Sequence, residues 1–282
     1  MSTPGSPRDC RPLQTLSGAR RSGYGVHRPM VDNQQERRRR VKADEIRQAR
    51  IDVAAALRMA VRLGMHEGIC NHFSLMLPGI DCFLLNPYGM HWSEVRASDL
   101  LVVDGEGRVL EGEGEAEATA FYIHSRIHRA NPRATCVLHT HMPYATALTM
   151  IEDGEFEWAG QTALMFYDDV AYDRVYNGLV LDNSEGDRLA AALGDKRVLF
   201  LANHGVIVIG RSVAEAFDDL YYLERACQAQ VIAMSTGRKL LRVPDETARA
   251  FNANTDERTR QGRLHFAALK RLLDRAEPDY AQ

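Results

Sequence analysis

Three histidines in this 282-residue chain stand at the ends of apolar runs that read as strands. Thr135 to Leu138 leads into His139-Thr140-His141, and Val198 to Ala202 leads into Asn203-His204-Gly205. On an extended strand, positions i and i+2 point to one face, so the imidazoles of His139 and His141 can converge on one ion. Neutral imidazole is a common ligand of zinc and also serves iron and manganese. A single His-x-His is more often two ordinary surface or core histidines. His204 shifts that balance, because it too follows an apolar strand directly and precedes Gly205, whose backbone freedom helps a side chain point into a site. Two strands ending in histidines suggest one pocket. His124 and His128 are four residues apart and can share a helix face.

The elements that must position these residues follow from periodicity. Apolar residues at three- and four-residue spacing from Ala43 predict a helix ended by Gly64, with Arg37 to Arg40 as its solvated lead-in. Phe73 to Leu77 and Cys82 to Leu85 flank Pro78-Gly79, and Leu100 to Val103 and Arg108 to Leu110 flank Asp104-Gly105, two strand pairs with turn residues between them. Residues 115 to 130 read as helix, and Pro143 can start the next one. Ser184 with Asp187 reads as a capping box for a helix through Leu193. Val206 to Ile209 continues the strand that enters Asn203-His204-Gly205. Val213 to Ser235 is helical, and Thr247 to Ala276 is a second, more polar helical region. Helices alternating with antiparallel-looking strand pairs make this an α/β chain in one layered domain.

Lys and Arg number 35 against 38 Asp and Glu, giving a net charge of −3, with 45% hydrophobic and 26% charged residues. These are the proportions of an ordinary globular protein and exclude disorder throughout. No overall positive field favours a phosphate backbone, so no nucleic acid partner is expected. Cys10, Cys70, Cys82, Cys136 and Cys227 are odd in number, scattered and without a CxxC pair, which indicates neither a disulfide framework nor a thiolate zinc site. No apolar run is long enough to span a membrane, and there is no signal-peptide core, so a cytoplasmic location without membrane association is expected. Residues 1–40 read as a disordered basic arm, rich in Pro, Gly and Ser at first, in which Met30 could be the true start. The expected division is this arm, a main domain over 41–245 and a helical extension over 246–282.

The segments Ala134-Thr-Cys-Val-Leu-His139-Thr-His141-Met-Pro-Tyr-Ala-Thr-Ala, Leu201-Ala-Asn-His204-Gly-Val, Asn86-Pro-Tyr-Gly89 and His124-Ser-Arg-Ile-His-Arg-Ala-Asn-Pro132 together resemble the class II aldolase and adducin family. Their order and spacing fit from about residue 45 to residue 240. The resemblance is to the adducin-head branch, and more distantly to fuculose-phosphate-type aldolases. It implies a single-domain three-layer α/β/α fold with a largely antiparallel central sheet. It also implies a divalent metal, zinc first and manganese or iron otherwise, held by His139, His141 and His204. The implied assembly is a homotetramer with sites near subunit interfaces.

The departures from the family pattern bear on activity. The aldolases carry a catalytic carboxylate where this chain has Ala120; Glu117, at i−3, could reach the same helix face, although it also belongs to a solvated acidic stretch. Their phosphate cradle corresponds to Cys70-Asn71, Tyr88-Gly89 and Ala118-Thr119, which removes hydroxyls or adds bulk, so a sugar phosphate is disfavoured. Asn71, His72, Tyr88, Gly89 and Thr119 become candidate contacts for an unphosphorylated substrate, with His72 a donor or cation for a carboxylate, or else an ordinary loop histidine. Tyr167, Tyr172 and Tyr176 lie where the aldolases place a proton-donating tyrosine, and the first two join Glu117 as catalytic candidates. The expected activity is a metal-dependent lyase that cleaves a carbon–carbon bond of a small hydroxy or oxo acid, by aldol cleavage or decarboxylation, through a metal-stabilised enediolate. The alternative is a non-catalytic, adducin-head-like module for self-assembly or protein interaction. Actin or spectrin binding is poorly supported, because adducin's lysine-rich tail has no counterpart before Gln282.

Overall fold

The computed structural model describes residues 33–253 and 255–282. The basic arm up to residue 32, with Met30, lies outside the described residues. Strands β1 (His72–Met76), β2 (Cys82–Leu85), β3 (Leu101–Asp104), β4 (Val109–Glu111), β5 (Cys136–Thr140), β6 (Val170–Asp173), β7 (Val198–Leu201) and β8 (Gly205–Gly210) form one sheet. Their order is β4-β3-β2-β1-β5-β8-β7-β6, antiparallel throughout except for the β6–β7 pair.

Alternation along the strands sends side chains to two helical layers. Phe73, Leu75, Leu138, Phe200, Val206 and Val208 pack with α1 (Asn33–Arg62) and with α3 (Pro143–Thr149) and α5 (Val213–Met234). Val137, Leu199, Leu201, Ile207 and Ile209 point the other way, against α2 (Ala118–Ala130) and α4 (Asn183–Leu193). This is the expected three-layer α/β/α fold. Short α6 (Asp245–Asn252) precedes α7 (Thr255–Ala276), whose Phe266, Leu269 and Leu273 belong to the main core.

Four local expectations change. α1 starts at Asn33 and includes Arg37 to Arg40, since nothing between these good helix formers and Gly64 breaks the helix. The cap of α4 is Asp182, which accepts from Glu185 N at 3.0 Å, while the Ser184 hydroxyl donates to that same carboxylate. The polar C-terminal region is two helices, α6 and α7. Val206 to Ile209 does not prolong the preceding strand: the chain reverses at Asn203-His204, and β7 and β8 pair antiparallel. Asn203 takes the positive φ of +54° that this reversal needs, a conformation Asn tolerates better than most residues. Among the described cysteines, Cys70, Cys136 and Cys227 are free thiols and Cys82 is in a disulfide.

Candidate active site

Strand register assembles the site. His139 is the Cα partner of His72 across the β1–β5 pair, and both point to the α2 side of the sheet. His141 follows just beyond β5, and the β7–β8 turn delivers His204 to the same end. Ligand nitrogens of His139, His141 and His204 all lie within 4.8 Å of one another. The His204 ring centre is 4.8 Å from that of His139 and 4.7 Å from that of His141. Gly205 permits this crowding by its lack of a side chain: a Cβ there would lie 2.5 Å from Thr140 O and 2.9 Å from His141 Cδ2. The expected dihedral freedom falls instead to Asn203.

Hydrogen bonds set which nitrogens face the pocket. His139 Nδ1 donates to Val206 O at 3.0 Å, and His141 Nδ1 donates to Glu67 Oε2 at 2.5 Å. The two bonds turn Nε2 of both rings towards the pocket, where they stand 3.1 Å apart. Imidazole nitrogens gathered this closely are the donor set that zinc and related divalent ions take. Burial, reinforced by the neighbouring imidazoles, holds His139 well below its ordinary pKa and brings His204 down to about 4. Rings that resist protonation, as His139 and His204 do, keep lone pairs for a divalent metal. Glu67, which fixes the orientation of His141, was not among the expected site residues; it lies in the loop after α1, and no spacing in the sequence links it to a histidine 74 residues away.

His72 and Glu117 come together beside this pocket. His72 is buried, with its ring centre 4.7 Å from that of His139, and burial followed by the nearby His141 and His204 pushes its pKa down to about 3. Its Nε2 lies 3.8 Å from Glu117 Oε2. Glu117 caps α2, accepting from Ala120 N at 2.8 Å and from the Thr119 hydroxyl. Ala120 itself is fully buried against Phe83, Leu85, Leu101 and Val103. Asn71 accepts from Glu67 N at 2.7 Å and leaves its buried Nδ2 without a partner among the described residues. Tyr88 is half exposed, and Gly89 takes a φ of +84°.

The tyrosines divide. Tyr172 hydroxyl accepts from Phe156 N at 2.9 Å, and its ring stacks on Phe200; burial raises its pKa to about 12. Tyr167 packs with Leu164 and Ala248 beside Trp158. Within one chain neither is brought to the three histidines. Tyr176, exposed, has its ring centre 6.3 Å from that of His204. His124 and His128 share the face of α2 that meets the sheet, and both bond Ser74. Ser74 was missed, though its position two residues from His72 on one strand placed it on that face.

Residues 51–231 match the Class II Aldolase and Adducin N-terminal domain. The chain belongs to this family. A candidate aldolase class 2 protein of Pseudomonas aeruginosa is 34% identical over 241 residues, covering 83% of this chain and 92% of that protein. Human β-adducin is 32% identical over 211 residues, which are 69% of this chain and 29% of the adducin. A crystal structure of an aldolase II superfamily protein from Pseudomonas syringae superposes with a TM-score of 0.77 at 36% identity, covering 84% of this chain and 96% of the other. The fold is thus the class II aldolase fold.

Proposed function

We propose that the protein is a metal-dependent lyase that cleaves a carbon–carbon bond in a small, unphosphorylated hydroxy or oxo acid. The observation that carries this reading is the convergence of ligand nitrogens from His139, His141 and His204, the first two oriented by Nδ1 hydrogen bonds to Val206 O and Glu67 Oε2. His139, His141 and His204 would hold the ion, zinc first and manganese or iron as alternatives. When bound, it supplies Lewis acidity that steadies negative charge developing on a substrate oxygen. Aldol cleavage also needs a base for the hydroxyl proton, whereas decarboxylation needs only an acid afterwards. Glu117 is the carboxylate nearest His72 and is the acid–base residue of this reading; Asn71, His72, Tyr88, Gly89 and Thr119 contribute the substrate pocket. Tyr167 and Tyr172 carry no proposed step.

The relation to β-adducin supports a second reading, a non-catalytic module that assembles with itself or a partner. Val175, Tyr176, Leu179 and Leu181 stand exposed on the segment that passes His204, an apolar surface suited to a partner subunit and to the homotetramer proposed here. We take residues 41–245 as the functional unit, 246–282 as its helical extension and the cytoplasm as its location. No helix of the described residues is long and apolar enough to cross a membrane.

Elemental analysis of the purified protein beside His141→Ala separates the two readings. Near-stoichiometric metal, lost in the variant, together with turnover of a hydroxy or oxo acid supports the lyase. A wild type that takes up no metal after supplementation leaves the assembly module.

A further inference from the structure

A hydrogen-bonded run that the proposed chemistry leaves unused starts behind the three-histidine pocket. Ala134 O meets His128 Nδ1 at 2.5 Å, His128 Nε2 meets Ser74 Oγ at 2.7 Å, Ser74 Oγ meets His124 Nδ1, and His124 Nε2 meets His72 Nδ1 at 2.7 Å. Its polarity is fixed at one end. A backbone carbonyl only accepts, so His128 Nδ1 carries a proton. Burial brings His128 down to about 4, so the ring is neutral and its Nε2 must accept the Ser74 hydroxyl proton. Having given its only proton, Ser74 accepts from His124 Nδ1. His124, held by burial well below its ordinary pKa, is then bare at Nε2 and accepts from His72 Nδ1.

The last ring presents its other nitrogen to the pocket. His72 Nε2 and Glu117 Oε2 face each other at 3.8 Å, beyond hydrogen-bond reach, and that carboxylate oxygen already accepts from Ala120 N and the Thr119 hydroxyl. With Glu117 Oε2 already accepting twice, His72 Nε2 is the acceptor left open to a donor from outside. We propose that the Ala134 carbonyl, relayed through His128, Ser74 and His124, fixes His72 as a hydrogen-bond acceptor, and that His72 Nε2, beside Glu117, accepts the proton of a substrate hydroxyl next to the three-histidine pocket. His128, Ser74 and His124 are positioning residues, and the acceptor at the end of the relay, His72 Nε2, selects hydroxy acids over their deoxy analogues. The assignment of the ligand rests on the lyase reading; the polarity of the relay does not.

Ring-nitrogen NMR of the 15N-histidine-labelled full chain at neutral pH tests the relay. The expected wild-type spectrum has His72, His124 and His128 each as a single tautomer protonated at Nδ1. A proton on His72 Nε2, as the other tautomer or as imidazolium, overturns the proposal. Ser74→Ala should shift His72 and His124 towards averaged tautomers while His128 stays protonated at Nδ1; unchanged spectra would refute the relay. If that variant does not fold, the wild-type spectrum still decides. Titration with glycolate should move the His72 Nε2 resonance, and acetate should not. An equal response to the two acids, or none to either, removes the hydroxyl assignment. The lyase reading fails on metal content and turnover, and this one fails on the proton at His72 Nε2.

Discussion

A carboxylate at position 120 would have to sit where Ala120 has no exposed surface and touches Phe83, Leu85, Leu101 and Val103. Burying that charge without a partner is costly, so Ala120→Glu is expected to destabilise the fold by several kcal/mol rather than restore an aldolase base. Urea unfolding beside an activity assay checks this; a stable variant with raised turnover would refute it. Glu117 occupies the helix cap instead, and its resemblance-derived role as a substitute was legible only as a one-turn offset, whereas its contact with His72 depends on how α2 docks. The three pocket histidines were legible because residue type and strand ends are both written in the sequence. Glu67 was not, since a loop carboxylate meets His141 only after the chain folds. Glu67→Gln should keep an acceptor for His141 Nδ1 but lose the charge, weakening zinc affinity by about tenfold in a chelator competition. An unchanged affinity would mean that Glu67 has no part in orienting the ligand.

At the scale of elements, the apolar alternation identified most strands and helices, and turn residues placed Pro78-Gly79 and Asp104-Gly105 correctly between paired strands. The reversal at Asn203-His204 was hidden because apolar residues continue on both sides of it, and only the Asn backbone conformation marks the corner. The close fit of α4 on α2 was equally invisible. Gly186 allows it: a Cβ there would lie 2.3 Å from Tyr122 O and 2.7 Å from Arg126 Cγ. Alanine would gain about 1 kcal/mol of helix propensity at this position. The carbonyl of the facing helix cannot yield as a flexible side chain can, so overpacking should outweigh that gain. Gly186→Ala is expected to lose on the order of 1–3 kcal/mol net, read as a lowered thermal midpoint. A raised midpoint would show that α2 and α4 can separate without cost.

For the molecule as a whole, strand order is what the sequence withheld. The neighbours β1 and β5 lie far apart in the chain, and their register brings His72 against His139 and, through α2, gathers His124 and His128 into one buried group. That concentration makes stability depend on pH in a definite direction. His128 has its pKa lowered to about 4 by burial, against 6.5 when unfolded. The unfolded chain therefore binds more protons between those values, and stability rises with pH there. The contribution is fully present above about 6.5 and is lost as pH falls towards 4. His128 alone should cost about 2 kcal/mol between pH 7 and pH 5, with His124 adding to it in the same direction. Asp104 and Asp279, whose pKa values are lowered by hydrogen bonds to their arginine and backbone partners, extend the loss only below the ordinary carboxylate range. Urea unfolding of chelator-treated protein at pH 7, 6 and 5 should thus show a falling midpoint well before the carboxylates titrate. His128→Gln, measured in the same way, should flatten the slope by about one proton. A wild-type midpoint that stays level down to pH 5 would mean that these histidines are charged and solvated in the folded protein, which the buried group between α2 and the sheet does not allow.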